Sequence, residues 1–114
     1  MDVGAVAREL PEVTESEPFA PGLPVYKVAG KVFAIHQPGE QVTLKCDPDF
    51  ALELRAQYTA ITPGYHTNKR LWNTVRLDGS VPDDELVELI RHAWEQAVRG
   101  LRKADRERLL ALLG

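Results

Sequence analysis

With 114 residues, 44% of them hydrophobic and 27% charged, the chain has the composition of a soluble globular domain and the length to bury roughly two-thirds of its unfolded surface in one core. No apolar run approaches the ~20 residues that span a bilayer, the start MDVGAVAREL lacks the basic and apolar regions of a signal peptide, and the lone Cys46 excludes an internal disulfide, so a cytoplasmic protein without a membrane partner is expected. The net charge of −3 argues against a strongly basic polyanion binder, yet residues 1–17 hold five acids and one base whereas residues 18–80 hold seven bases and five acids, which places the positive excess in the middle of the chain.

In chain order, Asp2 caps a short helix to about Leu10 in which Val3, Val6, Ala7 and Leu10 recur at helical spacing. Pro11 ends it, and Glu12, Glu15 and Glu17 read as a solvated acidic connector. After Pro18, Pro21, Gly22 and Pro24 come three strands, 25–28, 31–36 and 41–46, joined by turns at Ala29-Gly30 and Pro38-Gly39. The third alternates cleanly, with Val42, Leu44 and Cys46 on one side and Thr43 and Lys45 on the other. Asp47 or Asp49 with Pro48 opens a helix over about 48–57, whose apolar surface is assigned to Phe50, Leu52 and Leu54. A strand begins near Ala60-Ile61, and a longer one runs from Arg70 to Leu77. Pro82 followed by Asp83, Asp84 and Glu85 starts the strongest helix, with Leu86, Leu89, Ile90, Ala93, Ala97 and Leu101 facing inward and Gly100 as its stop. The tail 101–114 forms one more short helix with Leu109, Leu110, Leu112 and Leu113 as its apolar side. The expected architecture is α+β: a largely antiparallel sheet with helices packed on one face, a domain over residues 1–100 and a C-terminal helical tail.

The stretch TPGYHTNKRLWNTVRLDGSVP carries most of the functional information. A period of two puts Leu71, Val75 and Leu77 on one side together with Asn73, and Arg70, Trp72, Thr74 and Arg76 on the other. A face bearing Arg, Trp, Thr and Arg is costly to bury and suited to a phosphate-bearing or aromatic partner.

Several segments resemble the MmcQ/YjbR family: Lys31-Val32-Phe33-Ala34, Leu44-Lys45-Cys46-Asp47, Ile61-Thr62-Pro63, Asn68-Lys69-Arg70-Leu71-Trp72-Asn73-Thr74-Val75 and the helix after Asp78-Gly79-Ser80-Val81-Pro82. The early Leu10-Pro11-Glu12-Val13-Thr14-Glu15 fits as well, and the resemblance spans about residues 3–98. It implies a CyaY/frataxin-like fold and DNA binding through a double-wing arrangement, with Lys31, Lys45, Asn68, Lys69, Trp72 and Asn73 as the signature positions. It also places Trp94 where relatives often carry an aromatic in the last helix.

Three functional readings follow. The first is a non-enzymatic DNA-binding module of modest affinity and low base specificity. Lys45, Lys69, Arg70 and Arg76 would meet phosphates, Trp72 would stack, and Lys31, His66, Asn68 and Asn73 would be further contacts. The second is a protein-interaction module that docks a partner through Trp72, as the resemblance to frataxin-like folds implies. The third, an enzyme on a small anionic metabolite, would need a concave pocket around His66, Lys69 and Asn73. Bland alternatives stand beside these. The lysines and arginines would simply keep a sheet face solvated. Asn68 would cap a turn, and Asn73 would be a buried, hydrogen-bonded pin. Cys46 and Trp94 would be core residues. His36, His66 and His92 are too scattered to form a site, and no nucleotide-binding, metal or catalytic motif occurs. No cofactor or metal is expected, and the protein is expected to be a monomer.

Overall fold

A computed structural model describes residues 1–113. Its elements run α1 (Val3–Glu9), β1 (Val13–Ser16), β2 (Val25–Val28), β3 (Lys31–Gln37), β4 (Gln41–Lys45), α2 (Pro48–Gln57), β5 (Ile61–Pro63), β6 (Trp72–Arg76), α3 (Asp83–Arg99) and α4 (Lys103–Leu113). The strands form one sheet in the order β1-β2-β3-β4-β6-β5, with every neighbouring pair antiparallel. The α+β class and the antiparallel sheet are therefore as expected. Among the described residues no helix is long and apolar enough to cross a membrane.

Local chemistry explains the element ends. Asp2 accepts the Ala5 N–H at 3.0 Å and Asp47 accepts those of Asp49 and Phe50, so α1 and α2 start where a side-chain carboxylate satisfies free amides. The β2–β3 turn holds Ala29 at φ 48° and Gly30 at φ 79°, the left-handed pair of a type I′ hairpin. In β3 the register slips by one residue opposite Tyr26 and Lys27. This bulge leaves Phe33 and Ala34 both buried in the core.

The helices collect on one face of the sheet. Tyr26, Phe33, Ala34, Val42, Leu44 and Val75 from the strands meet Ala7, Ala51, Leu54, Ile90, Trp94 and Val98 from α1, α2 and α3. Trp94 is fully buried, and its Nε1–H donates to the Pro11 carbonyl at 3.1 Å. Beyond Gly100, α4 buries Leu109 completely and Arg108 pairs with Glu12, so the tail helix shares the same core.

Three expectations need correction. The acidic connector is in part the edge strand β1, paired with β2 from Val13–Val28 to Ser16–Val25. Its only apolar residue is Val13, and backbone pairing recruits it without an alternating pattern. Leu52 and Leu112 are 61% and 59% exposed, because α2 turns Phe50, Ala51 and Leu54 inward and α4 turns Leu109, Leu110 and Leu113 inward. The long strand covers only Trp72–Arg76. Arg70 stands in the preceding turn, where Asn68 Oδ1 accepts its backbone N–H at 3.0 Å.

Candidate functional site

The face opposite the helices is composed by strand register. Following the paired residues outward from β4 gives Thr14 and Ser16 on β1, Val25 and Lys27 on β2, Val32, Ile35 and Gln37 on β3, and Gln41, Thr43 and Lys45 on β4. Trp72, Thr74 and Arg76 on β6 and Thr62 on β5 complete it. These strand positions hold three cations, Lys27, Lys45 and Arg76, and no carboxylate. The chain as a whole carries −3, so the remainder of the molecule carries −6. The charge separation is a product of folding, because acids flank these segments in sequence on both sides.

Trp72 is half-buried, with Lys45 directly across the β4–β6 pair and its Nζ 5.5 Å from the ring centroid, close enough for a cation–π contact. The period-two reading holds for Trp72, Thr74 and Arg76. It fails for Arg70, which is exposed in the turn that precedes the strand.

The segment between β5 and β6 folds over the open face. Gly64 N–H donates to the Trp72 carbonyl at 2.9 Å and Tyr65 N–H to Thr74 Oγ1 at 2.9 Å, while Thr74 Oγ1 and Thr43 Oγ1 lie 2.9 Å apart. Thr43 and Thr74 are thus buried although they point away from the core. Gly64 has to be glycine for space. A Cβ there would lie 2.6 Å from Trp72 Cβ and 2.2 Å from Thr67 Oγ1. The tip turns at His66, whose φ is 56°, and the Tyr65 and His66 rings meet at a tilt of 52° with centroids 4.0 Å apart.

The opposite flank is the segment between β1 and β2. It places Phe19 and Leu23 beside Ile35, and the His36 N–H donates to the Pro24 carbonyl at 2.9 Å. The two flanks enclose a hollow of about 300 Å³ whose lining also includes Gln37, Gln41, Thr43, Tyr65 and His66. Phe19 and Tyr65 are 64% and 60% exposed at its rim. The open face is therefore a basic, aromatic-edged trough and not a flat plate.

The remaining sequence-predicted residues separate. Lys69 is exposed, and its Nζ donates to the Gly64 carbonyl at 3.2 Å, which helps to shape the loop. Asn68 is exposed and caps the turn through Arg70. Lys31 is exposed at the start of β3 opposite the core residue Val28, away from the Trp72 side of the sheet. Asn73 is 2% exposed on the helix side, donating to the Ala51 carbonyl at 3.2 Å and accepting from Arg55 Nε at 2.7 Å. It is a structural pin, and burial removes it from the candidate contacts. Among the described residues, Asn73 is buried on the helix side whereas His66 borders the hollow on the open face, so the two lie on opposite sides of the sheet. Cys46 is buried, and burial pushes its thiol up to about 12, so it is neutral near pH 7. His92 Nε2 accepts the Asp47 N–H at 3.1 Å between α3 and α2. Among the described residues no group of three or more His, Cys, Asp or Glu is placed to hold a metal.

Sequence reasoning missed Arg55. Its guanidinium reaches from α2 to the carbonyl of Lys69 and, at 3.3 Å, to that of Trp72, and so fixes the root of the loop. It also missed Phe19, Tyr65, Gln37 and Gln41. The available signal was that Phe19 and Tyr65 are isolated aromatics inside Pro/Gly-rich segments, where a core role is hard to satisfy.

Fold and site together define a small α+β domain that covers one sheet face with helices and presents the other. The chain belongs to the YjbR family, whose sequence profile matches residues 8–96. It is 36% identical over 107 residues to the uncharacterized protein YbdF of Escherichia coli O157:H7, covering 91% of this chain and 88% of that protein. It is 38% identical over 89 residues to the uncharacterized protein YjbR of Escherichia coli K12, covering 75% of each. The crystal structure of Deinococcus radiodurans protein DR2400, a DUF419 domain, superposes with a TM-score of 0.87 at 37% identity over 95% of this chain and 85% of that one. A Pseudomonas syringae protein at 22% identity shares the fold, with a TM-score of 0.71 over 85% of this chain and 99% of its own.

Proposed function

We propose that this protein is a non-enzymatic, cytoplasmic DNA-binding module that engages nucleic acid through its open sheet face, as a monomer and with little base specificity. The observation that carries this reading is the charge separation: three cations and no carboxylate on the strand positions of one face of an otherwise acidic molecule. Lys45, Arg76 and the nearby Arg70 contact phosphates in this reading, while Trp72 and the rim aromatics Phe19 and Tyr65 supply stacking surface. The two flanking loops play the part of the double wing, and the arrangement of one open and one helix-covered face is that of a CyaY/frataxin-like fold.

The test is fluorescence anisotropy with labelled duplex and single-stranded DNA across a salt series, comparing wild type with Arg70→Ala/Arg76→Ala and Trp72→Ala. If about four phosphates are neutralised, log affinity falls against log salt with a slope near −3.6 for duplex and near −2.8 for a single strand. Absence of binding at 50 mM salt to both probes refutes the proposal.

A second reading, docking of a protein partner on the same face, draws on the apolar part of the trough, where Phe19, Leu23, Ile35 and Tyr65 come together. Partner capture that is weakened by Phe19→Ala and hardly changed by salt would favour it.

A further inference from the structure

We propose that the hollow between the two flanking loops is a slot for one unstacked nucleobase of a single strand; the inference rests on the DNA-binding reading and specifies its ligand. At about 300 Å³ the hollow lies at the small end of ligand-pocket sizes, roughly 300–1,000 Å³. It accommodates one flat group and excludes a helix or a duplex. Its rim provides aromatic surface from both sides, Phe19 from one loop and the adjoining Tyr65 and His66 rings from the other. Bases stack on such surfaces whatever their sequence, since every base has a π-face.

The lining is mainly apolar and carries a few polar groups. Gln37 and Gln41 are direct partners across the β3–β4 pair, and both are half-buried carboxamides that offer a donor and an acceptor. Beside them runs the hydroxyl chain. The Tyr65 amide donates to Thr74 Oγ1, the Thr74 and Thr43 hydroxyls share a hydrogen bond at 2.9 Å, and Thr43 lines the hollow. A base would lay its apolar face on this lining and turn its polar edge to the two carboxamides, which an apolar side chain would leave unpaired. Among the described residues no carboxylate lines the hollow. Arg76 stands across from Gln41, and Lys45 lies two residues beyond Thr43 on the same face. Cations therefore sit at both ends of the β4–β6 pair, about 13 Å apart along the strand, where the phosphates on either side of an inserted base would pass.

The experiment compares a labelled single strand with a fully abasic strand of the same length at one low salt concentration. Proteins are wild type, Tyr65→Ala and Gln37→Leu/Gln41→Leu, each checked for native circular dichroism. Nucleoside monophosphates are titrated separately into isotope-labelled wild type and followed by amide NMR. The slot predicts that the abasic strand binds wild type at least about tenfold more weakly, on the scale of base–aromatic stacking. It also predicts that both variants lose affinity for the base-bearing strand while retaining wild-type affinity for the abasic one. Monophosphates should shift the Gln37, Gln41 and Thr43 amides. Equal wild-type affinity for the two strands, with a normal salt slope, overturns the slot and leaves the DNA reading standing. Monophosphate shifts confined to these residues without binding of any strand refute the polymer reading and, with it, the single-strand slot. Silence in both assays overturns both.

Discussion

The pairing of Arg55 with Asn73 fixes the root of the loop over Trp72, and a double-mutant cycle measures how strongly. Asn73 is almost fully buried, accepts from Arg55 Nε at 2.7 Å and donates to the Ala51 carbonyl at 3.2 Å. A hydrogen bond to a charged partner contributes about 1.5–3 kcal/mol and a neutral one about 1 kcal/mol. Asn73→Ala is therefore expected to cost about 3 kcal/mol. Arg55→Ala leaves the Asn73 oxygen unpaired and releases the Lys69 and Trp72 carbonyls, with an expected cost of about 2–3 kcal/mol. Because the two residues share an interaction, the double variant should be more stable than the sum predicts by about 1.5–2 kcal/mol. Urea unfolding followed by circular dichroism reads this directly. With a slope of about 1.5 kcal/mol per molar for a chain of this size, each single variant lowers the midpoint by roughly 1.5–2 M. Additivity to within about 0.5 kcal/mol would refute the claim that the loop root is held by this pair.

Three further outcomes are expected. Burial holds His92 and His36 below the ordinary value of 6.5, so both stay neutral in the folded chain while the unfolded chain takes up protons below that value. Their contribution is full above about pH 6.5 and is lost as pH falls through the depressed folded values. Urea midpoints should accordingly drop between pH 7.5 and 5.5, less so in His92→Gln, and a flat profile refutes the assignment. Gly64→Ala forces the new methyl against Trp72 Cβ, so it should cost about 1–3 kcal/mol, lower the melting temperature and change the emission of Trp72; an unaltered melt and spectrum would contradict the close approach. Ala29→Asn, placed where φ is 48° in a type I′ turn, should stabilise by about 1 kcal/mol, and Gly30→Ala should destabilise by a similar amount. Thermal melts that move neither way would contradict the left-handed geometry of this turn.

The sequence by itself determined the elements whose signals are local. Asp2, Asp47 and Pro48 mark helix starts through their own backbone chemistry, the Leu86-to-Ala97 spacing defines the buried stripe of α3, and the alternation of Val42–Leu44 against Thr43–Lys45 assigns the two sheet faces. The same alternation separated Trp72 and Arg76 from Asn73, which is why Asn73 was legible as a buried pin. Only the tertiary structure decided the rest. The strand β1 has one apolar residue and exists because β2 offers an unpaired edge. Arg55 gains its role from a loop that is remote in sequence, and Lys31 loses the Trp72 side of the sheet because its hairpin places it opposite Val28. The trough needs Phe19, Ile35, Gln41 and Tyr65, which come from four separate segments. Local patterns fix which way a side chain points along its own strand, but charge separation and concavity arise only when distant strands are set in register and loops close over them.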